Sequence, residues 1–142
     1  MAFNRKKAFA LLQKDLKKNW GKLDFEYKQE SSSSVASNSC TLNGFDDDIY
    51  VSFRVTDSAA LYATATFDKL EPSYDALMLI NEFNRGSVYF KAHIGSKGYL
   101  AFEYVRLYNT EKDFADCASD MLRRLIDLQE DEQVKQLASM TE

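Results

Sequence analysis

Apolar side chains near the start of the chain recur at three- and four-residue steps, which is the spacing of one face of a helix. This face consists of Ala8, Phe9, Leu12, Leu16 and Trp20. Asn4 precedes it as a candidate N-cap, and Gly21 follows it as a residue type that commonly ends a helix. The spacing predicts a first helix between these two residues.

Alternation of apolar and polar residues, the period of a half-buried strand, predicts five strands. The apolar faces of the first four contain Leu23, Phe25 and Tyr27, then Ile49, Val51, Phe53 and Val55, then Leu61, Ala63, Ala65 and Phe67, then Val88, Phe90, Ala92 and Ile94. The segment 99–108 predicts the fifth strand, after a glycine-containing turn at 95–98. The Ser- and Asn-rich stretch 31–39 fits either a mobile loop or the start of a polar edge strand, and Asn43 with Gly44 predicts a turn.

Helical spacing returns twice more along the chain. After Pro72 the apolar residues are Tyr74, Ala76, Leu77, Met78, Leu79, Ile80 and Phe83, and after Thr110 they are Phe114, Cys117, Ala118, Met121, Leu122, Leu125 and Leu128. The helix after Pro72 is apolar on most sides, which predicts a central and well-covered position. Residues 131–142 are mostly polar and fit a tail that is either helical or frayed.

Strands that follow one another, rather than alternating singly with helices, predict an α+β fold with an antiparallel sheet. The predicted order is α-β-β-β-α-β-β-α, with five strands in the sheet and the helices packed on one face. The chain has 142 residues, of which 45% are hydrophobic, so it is long enough to bury a core. We expect one domain over residues 1–130, followed by the polar tail at 131–142.

The charge is distributed unevenly along the chain. The formal net charge is −4; residues 1–22 contain seven basic and one acidic side chains, a net of +6, which leaves −10 for the remainder. An acidic body disfavours nucleic acid, since phosphate binding depends on Lys and Arg. The basic first segment fits contact with an anionic surface or with acidic groups of its own fold or dimer. No apolar run approaches the roughly 20 residues of a membrane span, so we expect a cytoplasmic protein.

Side chains that could carry chemistry are few and scattered. His93 is the single histidine, and nothing in the sequence nominates a nucleophile beside it, which favours a solvated histidine on a strand. Cys40 and Cys117 lack the close spacing of a zinc site, and the acidic run 46–48 lacks the alternating ligands of a calcium loop. We therefore predict a protein without catalytic residues, cofactor or metal site, and hence a non-enzyme.

Three tyrosines share the polar side of their predicted strands with basic residues. They are Tyr50, Tyr62 and Tyr89, and their basic companions include Arg54 and Lys91. If the helices cover the other face, these side chains form a polar aromatic patch on the open one. Such a patch fits either a ladder of cross-strand pairs or a surface for a partner or second copy. All five are candidate partner-binding residues.

A stretch in the second half of the chain resembles the YbjN-like family of bacterial proteins. The resemblance rests on residues 79–85 (LINEFNR), 90–92 (FKA) and 98–104 (GYLAFEY), and it covers about 76–106. It implies a fold similar to that of type III secretion chaperones, which are often dimeric, with no accepted catalytic residues. The family is described as regulators of sensory transduction.

The residues of this stretch also have a structural interpretation. Asn81 and Asn84 lie near the predicted helix end, where their side chains can satisfy backbone groups, and Arg85 suits the negative end of the helix dipole. The functional interpretation is that Arg85 binds an acidic partner, which makes it a further candidate partner-binding residue.

The sequence thus favours a non-enzymatic protein-interaction module, chaperone-like or regulatory and homodimeric. It would bind a protein segment of unknown identity through its sheet or helix surface. The alternative is a regulatory domain that senses a small ligand in a pocket between the sheet and the helices.

Overall fold

The computed structural model describes residues 2–40 and 49–142. Within them the chain forms four helices and one six-stranded sheet. The helices are α1 (Arg5–Asn19), α2 (Tyr74–Gly86), α3 (Cys117–Leu128) and α4 (Glu132–Ser139). The strands are β1 (Glu26–Gln29), β2 (Ser33–Cys40), β3 (Ile49–Thr56), β4 (Ala60–Lys69), β5 (Lys91–Ile94) and β6 (Tyr99–Leu107). The α+β class is confirmed.

The sheet is antiparallel throughout, with the strand order β1-β2-β3-β4-β6-β5. The prediction of five strands is wrong because the Ser-rich stretch 31–39 contains a strand of its own. That strand, β2, is neither a loop nor an edge, since β1 and β3 pair with it on its two sides. Its small side chains fit this position; Ser34 is fully buried, and its hydroxyl donates to Oε1 of Gln29.

One face of the sheet is covered by helices, as predicted. Helix α1 contacts β2 and β3 and lies beside α3, while α2 contacts β5. The predicted stripe of α1 is buried apart from Trp20, which is half-buried after the helix end. The alternation in β3 and β4 is confirmed, since Val51, Phe53 and Ala63 are among the residues without exposed surface. Asn4 caps α1 by accepting from the N–H of Lys7 at 3.0 Å.

Helix α2 is not the well-covered helix that its composition predicts. Its buried residues are Ala76, Ile80 and Phe83, whereas Tyr74 is 77% exposed and Leu77 is 46% exposed. In the described part of the chain, the elements that contact α2 repeatedly are the short strand β5 and the helix α4. Only one stripe of the helix is therefore covered, and an apolar face is left at the surface.

The segment predicted as a polar tail contains helix α4. Asp131 caps this helix, because its Oδ1 accepts from the N–H of Gln133 at 2.8 Å and from that of Val134 at 3.1 Å. Val134 and Leu137 have no exposed surface and belong to the common core. None of the helices in the described ranges is long and apolar enough to cross a membrane.

The turn between β5 and β6 has the form expected from its glycines. Gly98 has φ +88°, a conformation that L side chains rarely adopt, and its N–H donates to the carbonyl of Gly95 at 2.9 Å. The predicted turn at Asn43 and Gly44 and the acidic run 46–48 lie outside the described residues.

Candidate functional site

The open face of the sheet brings together two of the predicted partner-binding residues. Arg54 on β3 lies directly opposite Tyr62 on β4 in the strand register. Tyr50 is on the same face, four residues before Arg54, which corresponds to about 13 Å along the strand. Tyr50 and Arg54 are exposed, whereas Tyr62 is half-buried.

A shallow depression of about 390 Å³ lies on this face around the Arg54 and Tyr62 pair. It is lined by Ser52, Arg54, Thr56, Tyr62, Thr64 and Glu103. The hydroxyl of Thr64 donates to Oε2 of Glu103 at 3.3 Å. Next to it Val105 and Leu107 of β6 are 46% and 73% exposed. The open face therefore carries a cation, an anion and exposed apolar side chains in close succession.

Tyr89 does not belong to the open face, and its predicted place there is wrong. Strand β5 begins only at Lys91, so the alternation expected from Val88 onwards does not extend to Tyr89. Its ring stacks on Tyr104, a buried residue of the covered face, with centroids 5.6 Å apart. The guanidinium of Arg124 on α3 lies over the ring at 3.7 Å. Tyr89 is thus part of the helix side of the molecule.

Lys91 and Asn84 have structural partners at the edge strand β5. The Lys91 ammonium donates to the carbonyls of Asn84 and Ser87, each at 2.8 Å, and so satisfies acceptors at the end of α2. The Asn84 side chain accepts from the N–H of Ala92 at 2.6 Å and donates to its carbonyl at 2.9 Å. It occupies the outward hydrogen-bonding groups of that residue, which disfavours addition of a further strand there. Arg85 is exposed in the last turn of α2.

The basic segment at the start of the chain is used in part within the fold. The Arg5 guanidinium donates to the carbonyl of Glu30 at 2.9 Å and to Oδ2 of Asp57 at 3.3 Å, and so ties α1 to two turns of the sheet. The Lys17 ammonium lies over the Tyr27 ring at 5.3 Å. Both contacts fit the interpretation that this charge has partners in its own fold.

The sequence prediction did not identify the groove between α2 and α4. This α2–α4 groove has a volume of about 450 Å³ and is lined by Asp75, Met78, Leu79, Glu82, Gln136, Ser139 and Met140. The exposed side chains of Tyr74 and Leu77 continue its apolar surface along α2. The sequence carries a signal for α4 alone, because Val134, Leu137 and Met140 follow one another at steps of three in the predicted tail.

A second pocket, the Tyr89 pocket, lies where the end of α2 faces α3 and the start of α4. Its volume is about 380 Å³, and its lining residues are Phe83, Gly86, Ser87, Tyr89, Phe90, Arg124, Asp127, Leu128, Asp131 and Gln133. Buried aromatic side chains form its floor, and both basic and acidic groups stand around it. The pocket therefore combines apolar surface with charges of both signs.

His93 is exposed on β5, and no described side chain forms a hydrogen bond with it. Other groups capable of acid–base or nucleophilic chemistry line a polar crevice of about 590 Å³ beside the start of α3; they include Tyr108, Asp113, Asp116, Cys117, Ser119 and Asp120. Burial raises the pKa of the Cys117 thiol and that of the Tyr108 hydroxyl. A thiol with a raised pKa is a poor nucleophile. Across 2–40 and 49–142 no three His, Cys, Asp or Glu side chains come together as a metal site.

The buried carboxylate of Asp15 links α1 to the first turn of α3. Its Oδ2 accepts from the N–H of Ser119 at 2.8 Å, and its Oδ1 accepts from the Ser119 hydroxyl at 2.5 Å. Asn19 donates to the same Oδ1 at 2.7 Å, and the indole N–H of Trp20 donates to the Ser119 hydroxyl at 3.0 Å. This network satisfies backbone at a helix start, which is a structural role.

No model of a known protein family matches this chain, and a search of curated proteins finds no significant match.

Proposed function

We propose that this chain is a non-enzymatic protein-interaction module, chaperone-like or regulatory, that binds a protein segment in the α2–α4 groove. The observation that carries the proposal is the uncovered apolar face of α2, where Tyr74, Leu77 and Met78 are exposed beside Met140. Contiguous exposed apolar surface on a small domain marks a place where another molecule binds.

The shape and chemistry of the groove favour an amphipathic helical segment. Side chains of α2 and of the α4 segment line it on two sides, and an amphipathic helix lays its apolar side chains into grooves between helices. Met78 and Met140 are unbranched and polarisable, so they adapt to different apolar side chains. The exposed carboxylates of Asp75 and Glu82 stand in the lining without a basic companion. They favour basic residues on the flanks of the bound segment.

We also propose a homodimer that forms through the open face of the sheet. A two-fold interface must be self-complementary, since the same surface occurs on both subunits. The open face meets this condition because Arg54 and Glu103 line one depression with opposite charges, and the exposed Val105 and Leu107 lie next to it. A dimer formed there leaves the α2–α4 groove free.

The relationship to YbjN-like proteins and to the type III secretion chaperone fold belongs to the same proposal. It is supported by the motif residues around 76–106 and by the antiparallel α+β arrangement. The functional role it suggests, holding a segment of another protein, agrees with an uncovered groove.

Selection of displayed peptides on the immobilised full chain tests the proposal. We expect enrichment of amphipathic peptides with basic flanks, and a loss of binding of about tenfold or more when Leu77→Lys and Met78→Lys are introduced together. Val88→Lys is the control for each single variant, Leu77→Lys and Met78→Lys, because it places one lysine on an exposed apolar residue outside the groove and outside the open face. Failure to enrich any peptide, or an equal loss in the control, would contradict the proposed site.

A further inference from the structure

One wall of the Tyr89 pocket comes from the last turn of α3 and from the cap of α4. Arg124, Asp127 and Leu128 are spaced at i, i+3 and i+4, which places them on the same side of α3, and Asp131 lines the same pocket from the N-cap of α4. The pocket lining thus includes a guanidinium, a leucine side chain and two carboxylates. Charges of both signs therefore flank an apolar surface.

The other side of the Tyr89 pocket is formed by apolar residues from the end of α2 and the segment after it. Phe83 and Phe90 are 3% and 2% exposed, so their rings are held by the core and form a rigid floor. Gly86, the last residue of α2, lines the pocket, and a Cβ built on it meets no atom within 4 Å. The cavity of about 380 Å³ is within the range of small-molecule sites, which begins at roughly 300 Å³.

The charged side chains of the pocket keep hydrogen-bonding atoms that the contacts within the protein do not occupy. The guanidinium carbon of Arg124 lies 3.7 Å from the centroid of the Tyr89 ring, and Nε donates to Asp120 at 3.4 Å; the side chain remains 28% exposed. Asp131 uses Oδ1 for both of its bonds to the start of α4, and its Oδ2 is a second acceptor. Asp127 is exposed at the rim. One cation and two anions are thus available to a ligand.

From this arrangement we infer that the Tyr89 pocket binds a free α-amino acid with an apolar side chain. The ligand carboxylate would pair with the Arg124 guanidinium, and its ammonium with Asp127 or Asp131. Its side chain would pack on Phe90 and Leu128. A molecule with only one of the two charges leaves a partner in the pocket unpaired. This inference does not depend on the proposed function, because the α2–α4 groove is a different surface with different lining residues.

Calorimetric titration of the full chain with L-phenylalanine and L-leucine tests the inference. Phenethylamine lacks the carboxylate and 3-phenylpropanoate lacks the ammonium, so each should bind about tenfold or more weakly than L-phenylalanine. Absence of heat and of chemical-shift changes with both amino acids up to about 10 mM would overturn the inference. Equal affinity for either singly charged analogue would also overturn it.

Three variants locate the binding site. Gly86→Leu adds a side chain at the lining of the pocket while it keeps every charge, and we expect it to weaken binding about tenfold or more with the fold retained by circular dichroism. Asp127→Asn, at an exposed residue, should weaken L-phenylalanine binding, whereas Arg123→Gln, on the neighbouring position outside the pocket lining, should not. Unchanged binding by the folded Gly86→Leu variant would place the amino acid elsewhere and refute the assignment.

Discussion

The buried carboxylate of Asp15 offers a sharp test of how α1 and α3 are held together. Asp15→Asn keeps the size of the side chain but replaces one carboxylate oxygen with an NH₂ group. In one orientation of the amide this group faces the N–H of Ser119, which is 2.8 Å from Oδ2. In the other it faces the Asn19 amide and the Ser119 hydroxyl. The first orientation sets a donor against a donor in a site that is only 4% exposed. The second keeps a bond from the Ser119 N–H, and the hydroxyl and the Asn19 amide can turn to accept, but it loses the charge of the carboxylate.

The expected loss follows from the bonds that change. A hydrogen bond to a charged group contributes about 1.5–3 kcal/mol, and one between neutral groups about 0.5–1.5 kcal/mol. With the amide in its second orientation the bonds lose their charge, and we expect Asp15→Asn to lower the free energy of unfolding by about 2 kcal/mol. With a urea m-value of about 1.5 kcal/mol/M, the midpoint should fall by about 1.3 M.

Urea unfolding followed by far-UV circular dichroism measures this shift. Fluorescence of Trp20 serves as a second probe, since its indole donates to the Ser119 hydroxyl in the same network. Asp116→Asn is the matched control; it removes the same charge at the N-cap of α3, where the exposed side chain makes no capping bond. We expect the control to cost less than about 1 kcal/mol. Equal midpoints for the two variants would refute a role of Asp15 in joining the helices.

Three further predictions follow from other contacts. Arg54→Glu should dissociate the proposed dimer in sedimentation velocity, and adding Glu103→Arg should restore it; a monomeric wild type would contradict the interface. Asn84→Ala should lower the free energy of unfolding in urea by about 1–3 kcal/mol through loss of its two bonds to β5, and equality with the exposed Asn81→Ala would be the contrary result. The N–H of Asn4 donates to the Glu111 carboxylate and lowers its pKa. Glu111 therefore stabilises the fold at pH values above its unfolded pKa of about 4.3, and this contribution disappears as pH falls through the folded pKa. Between about pH 6 and pH 3.5 the urea midpoint should therefore fall less in Glu111→Gln than in the wild type, and equal falls would contradict the pKa shift.

Local periodicity predicted most elements but not their surroundings. The stripe of α1 and the alternation of β3 and β4 are correct because burial on one side imposes those periods. Periodicity does not distinguish strand β2 from a loop, because its serines carry almost no hydrophobic period; pairing with β1 and β3 determines its conformation. For α2 the composition indicates a wide apolar surface, but how much of it is covered depends on the neighbouring elements.

The sequence likewise predicts the position of some candidate site residues and not of others. Arg54 and Tyr62 were predicted to share a face, and the register of β3 and β4 places them opposite each other. Tyr89 was misplaced because the start of β5 depends on where Asn84 meets Ala92, a contact between a helix end and an edge strand. The α2–α4 groove joins segments about 50 residues apart in sequence, so local patterns do not predict it.

Amide hydrogen exchange of the full chain, with and without a selected basic amphipathic peptide, tests the central proposal most directly. Binding in the α2–α4 groove predicts added protection in Tyr74–Gly86 and Glu132–Ser139, with little change in β3 and β4. Protection confined to the open face of the sheet, or no protection at peptide concentrations that saturate binding, would contradict it.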